Sequence, residues 1–126
     1  MAGWLIVKPF YHAASLAQTN DTHHINISLT NFPSGKELRE VYRGRFREAL
    51  DHFAPQLIMV SAGFDGHVED DMSGGQFTDD DYAAIGAEIH AVAEQHTDGR
   101  VISLLEGGYA LSALGRSVVA YLKALL

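Results

Sequence analysis

The chain has 126 residues, of which 47% are apolar and 20% charged, and a formal net charge of -7. This size and composition are typical of one soluble globular domain. The negative charge disfavours nucleic acid and anionic membrane surfaces as partners. The sequence has no cysteine, which excludes disulfides and thiolate zinc sites and leaves His, Asp and Glu as ligands for any transition metal.

The amino-terminal stretch contains a short apolar segment, Trp4–Val7, which we interpret as a first strand ended by Pro9. It lacks the cationic start of a secretory signal peptide. The sequence also contains no continuous apolar run of about 18 residues, the length that a membrane-spanning helix needs. We therefore expect a cytoplasmic protein without a membrane-spanning segment.

Apolar and polar residues alternate over residues 25–29, which predicts a second strand. A capping-box pattern at Ser34 and Glu37 then predicts the start of a helix, which Pro55 ends. The segment that follows, Leu57–Val60, is apolar at every position. Such a run is typical of a parallel strand covered on both faces by helices.

Thr78 and the three aspartates after it predict the start of a second helix, which Gly99 ends. Val101–Leu105 is another apolar strand, and residues 111–126 carry the stripe of a last amphipathic helix. The alternation of strands and helices predicts an α/β fold in which a parallel sheet forms the middle of a three-layer sandwich. So small a sheet would expose edges and faces, so we expect that residues 1–126 are part of a larger domain or that the chain forms a homo-oligomer.

Two stretches that bear reactive side chains follow the two apolar strands. Gly63-Phe64-Asp65-Gly66-His67 comes after the first, and Glu106-Gly107-Gly108-Tyr109 comes after the second. Ligands of parallel α/β sheets bind beyond the carboxyl ends of the strands. The topology therefore predicts that Asp65 and Tyr109 lie on the same rim of the sheet.

Asp65 has the chemistry of a ligand for a divalent metal, with the imidazole of His67 close by in the sequence. The alternative is that Asp65 caps a turn and that His67 is a solvated loop residue. The acidic residues 69–71 that follow are expected to be solvated, since clustered charges usually are.

Tyr109 carries a phenol that can donate a hydrogen bond to a developing oxyanion. Gly107 and Gly108 before it would leave room for a bound substrate. The alternative is that the ring of Tyr109 is an aromatic lid packed on the next helix.

Together, residues 57–75 with 78–80, and residues 105–109, resemble the histone deacetylase superfamily, and most closely its bacterial deacetylases and acetylpolyamine amidohydrolases. The resemblance implies an arginase-like α/β fold and a zinc-dependent amidohydrolase that removes acetyl groups from acetyl-lysine or acetylpolyamine amides. It also implies that Asp65 is a zinc ligand and that Tyr109 stabilises the tetrahedral oxyanion.

The tandem-histidine base and the Asp-x-His ligand pair of that family precede the region matched here and have no counterpart in this chain. Residues 1–126 are therefore similar to the carboxyl-terminal portion of a deacetylase. Asp65 alone would supply one of the three protein ligands that a catalytic zinc needs. We therefore expect the isolated chain to bind zinc poorly and to be inactive. The competing hypothesis is a non-catalytic α/β binding or self-assembly module.

Overall fold

The computed structural model describes residues 6–10, 24–30 and 32–126. The described elements are, in order, β1 (Ile6–Phe10), β2 (His24–Ser28), α1 (Gly35–Val41), a π-helical turn (Tyr42–Phe46), α2 (Arg47–Phe53), β3 (Ile58–Ala62), α3 (Asp79–His96), β4 (Val101–Leu105) and α4 (Leu111–Leu125). Strand β1 pairs with β2 and β3 pairs with β4, both in parallel. The predicted α/β class is therefore confirmed. None of the helices that the structure describes is long and apolar enough to cross a membrane.

The first strand differs from its prediction. Trp4 lies outside the described residues, and the strand continues through Pro9 to Phe10 instead of ending at the proline. Pro9 stands opposite Ile27 in the register with β2. Among the described residues β1 has a neighbour on one side, and a proline is tolerated in such an edge strand because its missing N–H interrupts no second ladder.

The helix predicted to start at Ser34 forms, and its N-cap is confirmed. The Ser34 hydroxyl accepts a hydrogen bond from the backbone N–H of Glu37 at 3.2 Å. The helix is interrupted by the π-helical turn, which has Gly44, a weak helix former, at its centre. It ends where Ala54 adopts a left-handed conformation, with φ of 51°, just before Pro55.

The hydrophobic core lies between the helices and one face of the β3–β4 sheet. Its buried members include Leu29, Leu38, Leu50, Ile58, Phe64, Phe77, Tyr82, Ile85, Ile89 and Tyr121. Helices α3 and α4 approach closely at Gly86, where an added Cβ would lie 2.4 Å from the carbonyl oxygen of Tyr121. This packing fixes α4, which starts directly after the Gly-Gly-Tyr stretch.

The prediction that Leu57–Val60 is covered on both faces by helices is wrong for the described part of the chain, where the sheet exposes one face, as expected of so small a sheet. Met59, Ile102 and Leu104 are 54%, 46% and 51% exposed. The register pairs Met59 with Ile102 and Ser61 with Leu104, so these side chains share one face of the sheet. Ile58, on the opposite face, is buried in the core. The apolar run predicted burial correctly for one face, because the described core packs only there.

Candidate active site

The loops after β3 and β4 start from the same edge of the sheet and are hydrogen-bonded to each other. The N–H of Phe64 donates to the carbonyl oxygen of Gly107 at 2.8 Å, and the N–H of Glu106 donates to that of Ala62 at 3.0 Å. The two predicted motifs therefore follow the carboxyl ends of neighbouring parallel strands, where α/β sheets bind ligands.

The carboxylate of Asp65 lies against two glycines. A Cβ added to Gly107 would be 2.8 Å from Asp65 Oδ1, and one added to Gly63 would be 3.0 Å from the same atom. The hydroxyl of Ser73 donates to the backbone carbonyl oxygen of Asp65 at 2.7 Å. The glycines thus leave the space that the half-buried carboxylate occupies, and Ser73, which the sequence reasoning did not single out, holds its backbone.

The side chain of Tyr109 is 61% exposed at this edge. That exposure does not fit the alternative in which the ring is a lid packed on α4. Gly108 before it has φ of 138°, a conformation that side chains rarely adopt, and a Cβ there would meet Leu114 at 2.7 Å and Phe64 at 3.2 Å. Gly108 is therefore required by the backbone and by the packing beneath it. The roles predicted for Asp65, Tyr109, Gly107 and Gly108 stay predictions.

Asp70 is the residue that sequence reasoning missed. It was expected to be solvated with its acidic neighbours, but it is buried, and its carboxylate accepts hydrogen bonds from the backbone N–H groups of Tyr109, Ala110 and Met72. Burial raises the pKa of Asp70, but these hydrogen bonds and nearby His67 bring the pKa below its usual value. The prediction is right for Glu69 and Asp71, which are exposed.

His67 is neither solvated nor available as a ligand. It is buried, its Nδ1 accepts from the N–H of Glu69 at 3.1 Å, and its Nε2 lies 3.3 Å from Asp79 Oδ1. The same Asp79 accepts hydrogen bonds from Ser117 and Arg116, and these lower the pKa of Asp79 although burial opposes them. His67 therefore belongs to a polar network that joins the loop after β3 to α3 and α4.

The described residues do not form a complete metal site. Within the described ranges, no group of three or more His, Asp or Glu side chains is placed to hold a metal ion. Asp65 contributes one carboxylate at the sheet edge, and both ring nitrogens of the nearby His67 are engaged. The donors in the described part of the chain thus fall short of the three that a catalytic zinc needs.

The described chain is an α/β arrangement in which a carboxylate, that of Asp65, and a phenol, that of Tyr109, follow the carboxyl ends of two neighbouring parallel strands. The histone deacetylase domain matches residues 9–125 of this sequence. The chain belongs to the histone deacetylase family, as its motifs predicted.

Several relatives carry names from this family. The chain is 37% identical over 109 residues to the type-2 histone deacetylase 2 of Dictyostelium discoideum, a match of 84% of this chain and 6% of that protein. It is 34% identical over 102 residues to the chloroplastic histone deacetylase 14 of Arabidopsis thaliana, a match of 81% of this chain and 24% of that protein. The histone deacetylase-like amidohydrolase of Pseudomonas aeruginosa is 40% identical over 62 residues, 49% of this chain and 16% of that protein.

Among solved structures, the HDA15 HD domain superposes with a TM-score of 0.74 over 83% of this chain and 29% of that one, at 21% identity. This likeness confirms the deacetylase-type α/β fold. The chain thus spans less than a third of the length of each of these relatives and of this solved domain.

Proposed function

We propose that this chain supplies one side of the active site of a zinc-dependent amidohydrolase that removes acetyl groups from acetylated amines. The observation that carries the proposal is the contact of the Asp65 carboxylate with Gly107, two residues before Tyr109, at the joined ends of β3 and β4. It brings a potential metal ligand and the loop of a potential oxyanion donor to one edge of the sheet. The family membership supports the same chemistry.

Each residue has a separate role in this proposal. Asp65 contributes one carboxylate ligand to the zinc ion. Tyr109 donates a hydrogen bond from its phenol to the oxygen that becomes negative when water adds to the acetyl carbonyl. Gly107 and Gly108 keep the loop free of side chains, so that the acetylated amine can approach the phenol.

The isolated chain is proposed to be inactive, because Asp65 supplies one ligand where a catalytic zinc needs three. The purified protein should therefore retain no stoichiometric zinc after dialysis and should hydrolyse neither acetyl-lysine peptides nor acetylpolyamines. Stoichiometric zinc that is lost in Asp65→Ala, together with turnover by the pure chain, would show that the site is self-sufficient and overturn this part of the proposal.

A chimaera tests whether the rim functions when the rest of a domain is present. In it, the matching 102-residue stretch of Arabidopsis histone deacetylase 14 is replaced by that of this chain. The chimaera should bind zinc and turn over an acetylated amine. Asp65→Ala should abolish zinc binding, and Tyr109→Phe should lower kcat by about 10²–10³-fold with zinc retained.

Asp71→Asn, a change at an exposed neighbour, is the matched control and should leave the chimaera's zinc affinity and kcat unchanged. A folded chimaera in which Asp65→Ala and Tyr109→Phe behave like this control would remove the basis of the enzyme proposal. Comparing acetyl-lysine peptides with acetylpolyamines as substrates then identifies the acetylated amine that the site prefers.

A self-assembly module is the second candidate function, and the exposed sheet face favours it. Met59, Ile102 and Leu104 form an apolar surface on the side of the sheet that the described core does not cover. A surface of this kind on a soluble protein marks an interaction site. In this alternative the rim has no catalytic role, and the variants of Asp65 and Tyr109 would be silent.

A further inference from the structure

Asp70 connects the loop after β3 to the loop after β4. Its Oδ2 accepts from the backbone N–H of Tyr109 at 2.6 Å and from that of Ala110 at 3.0 Å. Its Oδ1 accepts from the N–H of Met72 at 3.0 Å. The residue is only 6% exposed. Both carboxylate oxygens are therefore used by backbone donors, and two of these three donors belong to the Tyr109 loop.

The loop that carries Tyr109 has few restraints of its own. Gly107 and Gly108 precede it, and glycine leaves the backbone the widest choice of conformations. Ala110 follows at the N-cap of α4, where it offers no side-chain acceptor for the free N–H groups of the first turn. The position of Tyr109 must therefore be fixed from outside the loop.

The Asp70 carboxylate provides that restraint. A buried ionised acceptor makes shorter and stronger hydrogen bonds than a neutral one, and a negative charge is favourable near the positive end of α4. The anchor is itself fixed, because the N–H of Asp70 donates to the carbonyl oxygen of His67 at 2.9 Å. His67 in turn contacts Asp79 at the start of α3. The restraint thus runs from the first turn of α3 to the backbone of Tyr109.

We propose that Asp70 is a positioning residue, which holds the backbone of Tyr109 so that its exposed phenol stays at the carboxyl edge of the sheet, the edge at which Asp65 also lies. The catalytic use of that phenol rests on the proposed function above. The anchoring by Asp70 does not, and it can be measured in the isolated chain.

Backbone hydrogen exchange in the 126-residue chain, resolved by NMR, tests the anchor. Asp70→Ala should accelerate exchange at the amides of Tyr109 and Ala110 by at least about tenfold, since each loses a charge-assisted hydrogen bond. Asp70→Asn, which keeps an oxygen acceptor of the same shape, should recover part of this protection. The matched control, Asp71→Ala, should leave both amides unchanged.

Two results would overturn the proposal. One is unchanged exchange at Tyr109 and Ala110 in Asp70→Ala. The other is an equal loss of protection at core amides of α3, such as that of Val92, which would show a general structural role. If Asp70→Ala does not fold, the isosteric Asp70→Asn replaces it in the test. The proposal then requires that Asp70→Asn accelerates exchange more at the amides of Tyr109 and Ala110 than at the amide of Val92.

The chimaera gives the functional measurement. Asp70→Ala should lower kcat with little change in KM or in zinc affinity, and Asp70→Asn should recover part of kcat. Unchanged kcat in a folded Asp70→Ala chimaera would contradict the positioning role. An inactive parent chimaera would count against the proposed function, while the exchange rates would still decide whether Asp70 anchors Tyr109.

Discussion

Gly107 and Asp65 touch across the ends of two neighbouring strands: a Cβ added to Gly107 would lie 2.8 Å from Asp65 Oδ1 and 3.0 Å from Asp65 Cγ. These separations are shorter than van der Waals contact, so the carboxylate can occupy its position only if residue 107 has no side chain. The contact couples the loop after β3 to the loop after β4. A change at Gly107 should therefore be felt first at the proposed metal ligand.

Gly107→Ala should displace the Asp65 carboxylate. Because the opposing atoms end a short, half-buried side chain that can rotate away, the free energy of unfolding should fall by less than about 2 kcal/mol. Zinc affinity of the chimaera, measured by titration, should nevertheless fall by about 10–100-fold, the usual effect of disturbing the surroundings of a ligand. Gly44→Ala is the control, because a Cβ there meets nothing within 4 Å. Unchanged zinc affinity in Gly107→Ala would show that the contact does not position Asp65.

The fold was largely predictable because its signals are local. The hydroxyl of Ser34 caps α1 as the capping-box pattern indicated. The start of α3 at Thr78 was also predicted, and there Asp81 Oδ2 accepts from the N–H of Thr78 at 2.8 Å, as in a capping box. Such caps lie within a few residues of the groups they bind, so both partners can be recognised in one short stretch of sequence. The bounds predicted for β4, Val101–Leu105, are those of the structure, whereas β1 runs past Pro9 to Phe10.

The restraints on the candidate site were not predictable, because their partners are distant in sequence. Asp70 stands among acidic residues that are solvated, and its burial depends on an N–H group 39 residues away, that of Tyr109. A usable signal was the start of α4, where Ala110 cannot cap the helix and an acceptor must come from elsewhere. His67 was missed in the same way, since its partner Asp79 appears in the sequence only as part of a helix cap.

Acid should destabilise the chain through two hydrogen-bonded carboxylates, the buried Asp70 and the partly buried Asp79. Hydrogen bonds from Ser117 and Arg116 lower the pKa of Asp79, and those from the backbone lower the pKa of Asp70 against the opposing effect of burial. A carboxylate whose pKa is lower in the folded state stabilises the fold above its unfolded pKa, about 3.9, and loses this contribution as pH falls through the folded value. The free energy of unfolding, from urea titrations, should therefore decline as pH falls from about 5.

The two carboxylates can be separated by substitution. Asp70→Asn and Asp79→Asn should each lower the free energy of unfolding at pH 7 and should each make its dependence on acid weaker than in the parent chain. The control is Asp71→Asn, which changes an exposed carboxylate. An acid dependence that is identical in all four proteins would mean that the stabilising carboxylates lie elsewhere.

Gly86→Ala should separate α3 from α4. Its new Cβ would lie 2.4 Å from the backbone carbonyl oxygen of Tyr121, which cannot rotate away, so a backbone must shift and the free energy of unfolding should fall by about 1–3 kcal/mol. Gly115→Ala on α4 is the matched control, because its Cβ would meet nothing within 4 Å. There the loss of backbone freedom in the unfolded chain should raise stability by about 0.5–1 kcal/mol. Equal effects of the two substitutions in urea titrations would contradict the close packing of the helices.

The exposed face of the β3–β4 sheet should make the isolated chain self-associate. Met59, Ile102 and Leu104 lie together on it, and a second copy would remove their apolar surface from water. Sedimentation velocity should show a dimer or larger species at micromolar concentration, and Leu104→Asp should shift it to the monomer. Val68→Asp, at an apolar residue in the loop after β3 that is also about half exposed, is the control and should keep the association.

A parent chain that sediments as a monomer, with Leu104→Asp identical to it, would contradict self-association. The chimaera tests the alternative to self-association, in which the rest of a larger domain covers this face of the sheet. If the rest of the domain covers this face, Leu104 is buried in the chimaera, and the charge of Leu104→Asp should lower the free energy of unfolding by several kcal/mol. In the isolated monomer the charge of the new aspartate stays in water, so the loss of stability should be small. Thermal unfolding of the two proteins measures that difference. A large loss of stability in the chimaera, beside a small one in the isolated chain, would identify the sheet face as the interior of a larger domain.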